Sequence, residues 1–256
     1  MESSTDIATL SSRQDSLTKY DYFVQRVGFR YYGPLSRLKG FQRLSDLTAK
    51  FNVRFEIVNT RLPSNGREIK RRLGPLCDIP RMSTFAIGAI INRTVTDMAP
   101  DTCFVNVGVW NGFTLLSGMA ENRDKQCIGV DNFSEFGGPK EHFLRRFNEM
   151  KSDNHRFYEM DYREYFTKIH AGEIGLYIYD GHHGYENQMM GLKLAEPFFG
   201  KNCVILIDDT NGGEPREATL DFINRSRSKY QVLLDVKTLA NKHPTFWNGI
   251  MVFRKC

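Results

Sequence analysis

From residue 103 onward, short apolar runs alternate with amphipathic stretches. The runs are CFVNVGV, QCIGVD, HRFYEMD, IGLYIYD, NCVILIDD, YQVLLDV and WNGIMVFRK. This order predicts an α/β domain with a doubly wound, mostly parallel, seven-stranded sheet. The uninterrupted apolar cores VILI and LYIY favour strands that are covered by helices on both faces. No helical pattern separates the last two runs, which predicts an antiparallel edge.

The first part of the chain has a different pattern. Residues 1–80 are predicted to form an N-terminal helical segment, and residues 81–256 the α/β domain. The segment carries the aromatic residues Tyr20, Tyr22, Phe23, Phe29, Tyr31 and Tyr32. Because a free tail would not keep so much apolar surface, we expect a lid over the ligand site or an oligomer contact. Pro and Gly residues between 63 and 80 predict a loop, and residues 82–99 suit a helix capped by Ser83 or Thr84.

Composition and charge narrow the classes of function. No apolar run approaches the roughly 18–20 residues of a membrane helix, and the N-terminus lacks a signal peptide's basic and apolar regions. We therefore expect a cytoplasmic protein without a membrane partner. The five cysteines form no CxxC pair, which favours reduced, structural thiols. Residues 1–100 hold 16 Lys and Arg against 9 Asp and Glu, but such an excess is more often a solvated face than a nucleic-acid site.

Acidic side chains or glycines follow five successive strands. The endings are Asn106-Val107-Gly108, Asp131, Asp161, Asp180 and Asp208-Asp209. In an open parallel sheet, ligands bind beyond the carboxyl ends of the strands, where these residues would meet. A solvated turn would explain any one ending but explains the whole set poorly. The sequence therefore predicts a ligand site along this edge of the sheet.

The first strand leads into Gly108-Val-Trp-Asn-Gly112 and then into a helix, whose first backbone N–H groups can hold an anionic group. The G-x-x-x-G spacing is neither the GxGxxG dinucleotide fingerprint nor a GxxxxGK[ST] phosphate loop, which argues against a nicotinamide cofactor or a nucleoside triphosphate. Asp131 follows 23 residues after Gly108, where acidic residues of nucleotide folds accept the ribose hydroxyls. We therefore expect a ligand with a nucleoside part.

Five motifs, in order, resemble those of class I S-adenosylmethionine-dependent methyltransferases. They are FVNVGVWNGFT, IGVDNF, YEMDYREYF, IYDGHHGYE and VILIDDT, and the resemblance covers about residues 82–256. It is closest to the metal-dependent O-methyltransferase branch that includes catechol and macrocin O-methyltransferases. The resemblance implies a Rossmann-like fold, S-adenosylmethionine as the cofactor and methyl transfer as the reaction.

The resemblance also implies individual roles. The methionine part of the cofactor would be surrounded by Gly108, Trp110, Asn111, Gly112 and Thr114, with Thr114 near its carboxylate. Asp131 would hold the ribose, Asn132 and Phe133 would lie beside the adenine, and Asp161 or Tyr162 would approach the adenine amino group. Asn106 stands where the first motif usually has an acid. Its amide oxygen can accept a hydrogen bond from the cofactor but brings no negative charge.

In the same branch, one Asp after the fourth strand and two oxygen-bearing side chains after the fifth hold a divalent cation. This chain has Asp180 and, 28 residues later, Asp208-Asp209. Three carboxylates form a hard oxygen site suited to Mg²⁺, Mn²⁺ or Ca²⁺, and Mg²⁺ is expected. The alternative for Asp208-Asp209 is a helix N-cap, which leaves Asp180 unexplained.

The stretch YIYDGHHGYE contains two adjacent histidines. His183 matches the histidine of the related Asp-Gly-Asp-His loop, which makes it, with Asp180, the candidate catalytic pair. In that reading, a neutral imidazole near its solution pKa takes the proton from the acceptor hydroxyl. The alternative is that His183 bridges backbone groups in a glycine-bounded turn. His182 is expected to be exposed.

These residues together favour a metal-assisted O-methyltransferase. Chelation of a hydroxyl and its neighbouring oxygen would lower the hydroxyl pKa, so the expected acceptor is a diol or catechol of a small molecule or glycan. Two other classes stay open. A metal-dependent glycosyltransferase would use Asp208-Asp209 but needs a sugar-nucleotide site, and a non-catalytic cofactor-binding relative would be compatible with Asn106. A homo-oligomer through residues 1–80 is a further possibility.

Overall fold

The computed structural model describes residues 18–31 and 55–256. Two short strands, β1 (Gly28–Phe29) and β2 (Thr60–Arg61), form an antiparallel ribbon. The main sheet contains β3 (Thr102–Val107), β4 (Gln126–Val130), β5 (His155–Tyr158), β6 (Glu173–Tyr179), β7 (Phe199–Asp208), β8 (Tyr230–Val236) and β9 (Ile250–Lys255). Its spatial order is β5-β4-β3-β6-β7-β9-β8.

The strand directions confirm the predicted mostly parallel sheet with an antiparallel edge. Neighbours from β5 to β7 are parallel, whereas β9 runs antiparallel to both β7 and β8. The reversed strand β9 therefore lies inside the edge, between β7 and β8. The strand order reverses between β3 and β6. This is the switch point where open α/β sheets bind ligands.

Helices cover both faces of the sheet. They are α1 (Lys19–Gln25), α2 (Phe55–Asn59), α3 (Gly66–Leu73), α4 (Phe85–Asp97), α5 (Phe113–Met119), α6 (Lys140–Met150), α7 (Tyr162–Lys168), α8 (Tyr185–Ala195) and α9 (Gly213–Arg225), with 3₁₀ turns at Pro75–Asp78 and Glu196–Phe198. Successive side chains of a strand point to opposite faces, so Phe104 joins one apolar cluster while Cys103 and Val105 join the other. Residues of α1, α3, α4, α5 and α6 pack in the first cluster, and those of α7, α8 and α9 in the second. The result is a three-layer α/β/α arrangement.

The described N-terminal residues pack on the first of these faces. Phe23 and Val24 of α1 are completely buried in the same cluster as α4. Asp21 is also buried and forms an ion pair of 2.7 Å with Arg254 of β9. The Thr94 hydroxyl donates a hydrogen bond of 2.7 Å to the Tyr20 oxygen. These contacts attach α1 to the α/β core, and the division of the chain at residue 80 stays a prediction.

Two local expectations differ from the structure. The predicted loop between residues 63 and 80 contains α3, because Ile69 and Leu73, one turn apart, are both buried against the core. The segment 1–80, predicted to be helical, also contributes the β1–β2 ribbon. Tyr32 and the other residues at positions 1–17 and 32–54 lie outside the described residues. The N-cap prediction for α4 is confirmed, since the Thr84 hydroxyl accepts from the Ile87 N–H.

The remaining sequence features are consistent with this packing. Cys77, Cys103, Cys127 and Cys203 are buried free thiols, and Cys256 is exposed. The basic stretch of α3 is used locally, because Arg71 and Arg72 both pair with Glu121. In the described ranges, every helix is too short or too polar to span a bilayer.

Candidate active site

The turn between β3 and α5 is built on two glycines in the left-handed region. Gly108 has φ +78° and Gly112 has φ +100°. A Cβ atom on Gly108 would lie 1.9 Å from the Asp180 carbonyl oxygen, and one on Gly112 would lie 2.8 Å from the Phe143 ring. The end of β3 therefore passes directly against the end of β6, where the Asp180 N–H donates to the Val107 carbonyl at 2.9 Å. This contact brings the two motifs to one place.

Asp131 fixes the same turn from β4. One oxygen of its carboxylate accepts the N–H groups of Val109 and Trp110 at 2.8 and 2.9 Å, and the other accepts the Phe133 N–H at 2.7 Å. Sequence reasoning predicted ribose binding for this side chain. The structure adds that the carboxylate orders the turn. Three of its roughly four acceptor sites are used, so Oδ1 keeps capacity for one ligand hydroxyl.

A cleft of about 460 Å³ lies beyond the carboxyl ends of the strands. Most of the predicted site residues line it: Gly108, Trp110, Asn111, Gly112, Thr114, Asp131, Asn132, Phe133, Asp161, Tyr162, Asp180, His183, Asp208 and Asp209. The volume is within the range of about 300–1,000 Å³ that is typical of small-molecule sites. The residues predicted to bind the ligand therefore line a single cleft at this edge of the sheet.

Asn106 is the predicted cofactor residue that does not line the cleft. Its side chain is completely buried beneath the turn, and its amide nitrogen donates to the Gly108 carbonyl at 2.9 Å. Asn106 therefore supports the turn, and its contact with a cofactor stays a prediction. An acid at this position could not donate that hydrogen bond.

Asp161 serves locally as the N-cap of α7. Its carboxylate accepts the Arg163 N–H at 2.8 Å, and its side chain remains partly exposed at the cleft. Tyr162 packs edge-on against Tyr179, with ring centroids 5.4 Å apart. Both residues thus form the wall on the β5 side, and their contact with an adenine amino group stays a prediction.

A cluster of acidic and imidazole groups occupies the β6–β7 side. Ligand atoms of Asp180, His183 and Asp208 lie within 4.8 Å of one another. The His183 Nε2 atom is 3.6 Å from an oxygen of Asp180 and 3.5 Å from one of Asp209. The predicted carboxylates therefore converge, and His183 stands among them. The structure favours Asp180, His183 and Asp208 as the closest set, with Asp209 beside the imidazole.

Each alternative reading of these residues can be compared with the contacts. The N-cap of α9 is Gly212, without a side-chain cap, so Asp208 and Asp209 do not cap that helix. The histidine that supports the glycine-bounded turn is His182, whose Nδ1 accepts the Gly184 N–H at 3.0 Å. His182 is exposed, as expected. His183 instead faces the carboxylates.

The groups of this cluster shift one another's pKa values. Burial lowers the pKa of His183, but the hydrogen bond with Asp180 and the charges of Asp208, Asp180 and Asp209 outweigh it and raise the pKa to about 9. Burial also raises the pKa values of Asp180 and Asp208, and neighbouring carboxylates raise them further. The expectation of a near-solution pKa for His183 is therefore wrong for the metal-free chain, because three carboxylates favour the imidazolium.

The site's polar atoms test whether a divalent cation would fit. Asp208 Oδ1, Asp209 Oδ1 and His183 Nδ1 are buried and have no hydrogen-bond partner. Unpaired buried oxygens are costly unless a ligand or ion satisfies them. Carboxylate oxygens suit Mg²⁺ or Mn²⁺, so Asp180, Asp208 and Asp209 fit such a cation.

In protein kept free of divalent cations by EDTA, stability should fall as the pH rises from about 6.5 towards about 9. The folded chain binds the His183 proton more tightly than the unfolded chain, so its stabilisation is lost as pH approaches the folded pKa. Urea unfolding across this pH range measures the effect. The slope should shrink in His183→Gln. An unchanged slope in that variant would contradict the assignment to His183.

Several cleft residues were missed by sequence reasoning. They include Arg81, Ser83, Tyr179, Trp247 and Asn248. Arg81 and Ser83 precede α4, and Trp247 and Asn248 precede β9, so neither pair follows a parallel strand. Backbone strain gives a clue that the sequence could not. Among the described residues, nine non-glycine residues have a positive φ and five of them line the cleft, namely Trp110, Phe133, Phe136, Asp209 and Trp247.

A sheet with this strand order, with a glycine turn after its first parallel strand and an acid after its second, is typical of class I methyltransferases. Comparison with known families agrees: the family described as a methyltransferase domain matches residues 105–210. That range includes the glycine turn, Asp131 and the whole acidic cluster. Residues 105–210 therefore match a methyltransferase domain.

Solved structures support the fold. A protein of Corynebacterium glutamicum is 12% identical, with a TM-score of 0.55 over 85% of this chain and 98% of that chain. The O-methyltransferase TomG of Streptomyces achromogenes, solved in complex with S-adenosylmethionine, is 11% identical, with a TM-score of 0.51 over 73% of this chain and 88% of that chain. A comparison with curated protein sequences finds no significant match.

Proposed function

We propose that the protein is an S-adenosylmethionine-dependent O-methyltransferase whose acceptor is a small molecule or glycan, and that a divalent cation, Mg²⁺ in the first instance, assists the transfer. One observation carries the proposal: the glycine turn and the acidic cluster touch at Gly108 and Asp180. A cofactor on the turn and an acceptor on the cluster would therefore lie side by side. Such proximity is the main requirement for a direct displacement.

The cofactor supplies a methyl group on a sulfonium sulfur. When bound, it would transfer that methyl group to an acceptor oxygen, with loss of the sulfur–carbon bond and release of a neutral thioether. Gly108 and Gly112 let the backbone approach the methionine part, and Asp131 holds the ribose. Trp110 and Phe133 line the same cleft and provide apolar surface. These residues fix the direction of the methyl group.

Asp180 and Asp208 would hold the cation, which would make a chelated hydroxyl more acidic. A cation bound between these carboxylates would also lower the pKa of His183, because it would neutralise the negative charges that favour the imidazolium. His183 would then be neutral and able to accept the acceptor proton at Nε2, the nitrogen that faces Asp180 and Asp209. Asp209 would stabilise the resulting imidazolium.

Chelation should separate cofactor binding from chemistry. We expect EDTA to reduce methyl transfer from radiolabelled S-adenosylmethionine at least about 100-fold, because the cation supplies several kcal/mol to the transition state. Added Mg²⁺ or Mn²⁺ should restore the rate. The affinity for S-adenosylhomocysteine, measured by calorimetry, should not change with EDTA, since Asp131 and the glycine turn hold the nucleoside.

A panel of catechols, sugar diols and glycosylated phenols provides the acceptors for this assay. Full activity in excess EDTA would contradict the metal role of the carboxylates while leaving the methyltransferase assignment intact. Binding of a uridine diphosphate sugar, without binding of S-adenosylhomocysteine, would instead favour the glycosyltransferase alternative. Cofactor binding without transfer to any acceptor would favour the non-catalytic relative.

A further inference from the structure

We propose that Asn211 is a positioning residue for the cation site, and that it links this site to residues 237–249, the β8–β9 connection. The inference rests on the proposed function and deepens it, because it names a residue that acts through Asp209. Asn211 lies two residues after Asp209, between β7 and α9. It is not among the residues that line the cleft. Its effect on a bound cation would therefore be exerted through the neighbouring acid.

The side chain of Asn211 is bonded at both ends of its amide to the β8–β9 connection. The amide oxygen accepts the Thr238 N–H at 2.8 Å. The amide nitrogen donates to the Thr238 hydroxyl at 2.7 Å and to the side-chain oxygen of Asn241 at 3.2 Å. The backbone N–H of Asn211 also donates to the Asn248 carbonyl at 2.7 Å. Both the side chain and the backbone of Asn211 therefore hold the same connection.

The end of the connection is shaped for this contact. Gly249 has φ +93°, and a Cβ atom there would lie 2.6 Å from the amide oxygen of Asn211 and 2.8 Å from its backbone nitrogen. A residue with a side chain could not take this place unless Asn211 moved. The next residue, Ile250, is paired with Asp208 in the sheet. The connection is therefore held beside the acidic cluster by the sheet as well as by Asn211.

The turn that carries Asp209 needs such support. Asp209 has φ +52°, which is uncommon for a residue with a side chain, and its carbonyl accepts the Gly212 N–H at 3.1 Å, which closes a turn around Asn211. A left-handed backbone of this kind persists where the surrounding structure fixes it. The same conformation directs the carboxylate into the cluster, where one oxygen lies 3.5 Å from the His183 Nε2 atom. The direction of this carboxylate therefore depends on the contacts of Asn211.

Loss of these contacts would affect the cation. The turn could relax to a negative φ, which would move the Asp209 carboxylate away from the cluster and leave the cation with less negative charge around it. Trp247 and Asn248 of the β8–β9 connection line the cleft. Cation binding and the position of this wall are therefore linked, and such a linkage acts equally in both directions.

Electron paramagnetic resonance of Mn²⁺, titrated into the full chain without cofactor, measures cation affinity independently of any acceptor. We expect the Kd for Mn²⁺ to rise about 10-fold in Asn211→Ala, the lower end of the range for residues that orient metal ligands. The affinity for S-adenosylhomocysteine, measured by calorimetry, should not change, because the glycine turn and Asp131 hold the nucleoside. Asn224→Ala, at an exposed position of α9, is the matched control and should bind Mn²⁺ as the wild type does.

A pair of variants at Thr238 separates the hydrogen bond from a general loss of stability. Thr238→Val keeps the shape and the backbone N–H but removes the hydroxyl to which Asn211 donates. Thr238→Ser keeps that hydroxyl. We expect Mn²⁺ affinity to fall about 3-fold in Thr238→Val, as for one lost hydrogen bond, and to stay at the wild-type value in Thr238→Ser.

Each outcome decides the inference. Weaker Mn²⁺ binding in Asn211→Ala and Thr238→Val, with wild-type affinity for S-adenosylhomocysteine, supports it. Wild-type Mn²⁺ affinity in a folded Asn211→Ala variant, or equal Mn²⁺ affinities in Thr238→Val and Thr238→Ser, overturns it. If Asn211→Ala does not fold, the Thr238 pair decides alone.

The same titrations distinguish this inference from the proposed function. A wild-type chain that binds S-adenosylhomocysteine but not Mn²⁺ contradicts the metal part of the proposed function and overturns the inference with it. A wild-type chain that binds Mn²⁺ but not S-adenosylhomocysteine contradicts the proposed methyl transfer, while the comparison of Mn²⁺ affinities still decides the role of Asn211.

Discussion

Gly108→Ala is expected to abolish S-adenosylmethionine binding. The new Cβ would lie 1.9 Å from the Asp180 carbonyl oxygen, closer than any real contact, and that oxygen belongs to the backbone and cannot rotate away. The φ of +78° adds strain that typically costs about 1–3 kcal/mol. The turn or the end of β6 must move, and both belong to the site. We expect the affinity to fall at least about 100-fold.

Gly172→Ala is the matched control for backbone strain. Gly172 also has a positive φ, +90°, but a Cβ there would meet nothing within 4 Å. Both variants should lose some stability in thermal unfolding, while only Gly108→Ala should lose cofactor binding in calorimetry. If the two variants bound S-adenosylmethionine equally well, the close approach of β3 and β6 would have no part in the site.

Asp208→Asn should change stability and activity in opposite directions. In metal-free protein, the Asp208 carboxyl is buried beside Asp180 and Asp209, and its pKa is raised well above the ordinary value. An amide removes this repulsion, so we expect a melting temperature a few degrees higher, where 1 kcal/mol corresponds to about 2–4 °C. The same change removes an anionic ligand, and methyl transfer should fall at least about 100-fold.

Thermal unfolding with and without Mg²⁺ measures both effects. The wild type should gain stability from the cation, because a ligand that binds only the folded state raises its stability. Asp208→Asn should lose that gain while keeping its affinity for S-adenosylhomocysteine. Asp153→Asn, at an exposed turn, should behave as the wild type. A variant that retains the full Mg²⁺ response would show that Asp208 does not hold the cation.

The main sheet could be predicted from sequence because its signals are local. Most of its seven strands are compact apolar runs, and β3 and β6, near the centre of the sheet, are buried almost throughout. The N-terminal part is different. The Asp21–Arg254 ion pair and the β1–β2 ribbon join residues far apart in sequence, and no local pattern reports such partners.

The same distinction applies to the site. Residues that follow parallel strands, such as Gly108, Asp131 and Asp180, could be placed because strand ends converge at one edge. Ser83 and Trp247 reach the cleft from other directions, and only the folded chain brings them there. The burial of Asn106 and the raised pKa of His183 also depend on packing. The sequence therefore predicted which side chains gather at the strand ends more fully than it predicted their burial and pKa values.

Isothermal titration of the wild-type chain with S-adenosylmethionine, in buffer containing EDTA, tests the central claim most directly. We predict saturable binding with one site per chain, unaffected by the chelator, because the glycine turn and Asp131 hold the nucleoside without the cation. Binding should be lost in Gly108→Ala and kept in Asp208→Asn. Absence of heat from S-adenosylmethionine at millimolar concentration, in protein shown to be folded, would contradict the assignment of the cleft as a methyl-donor site.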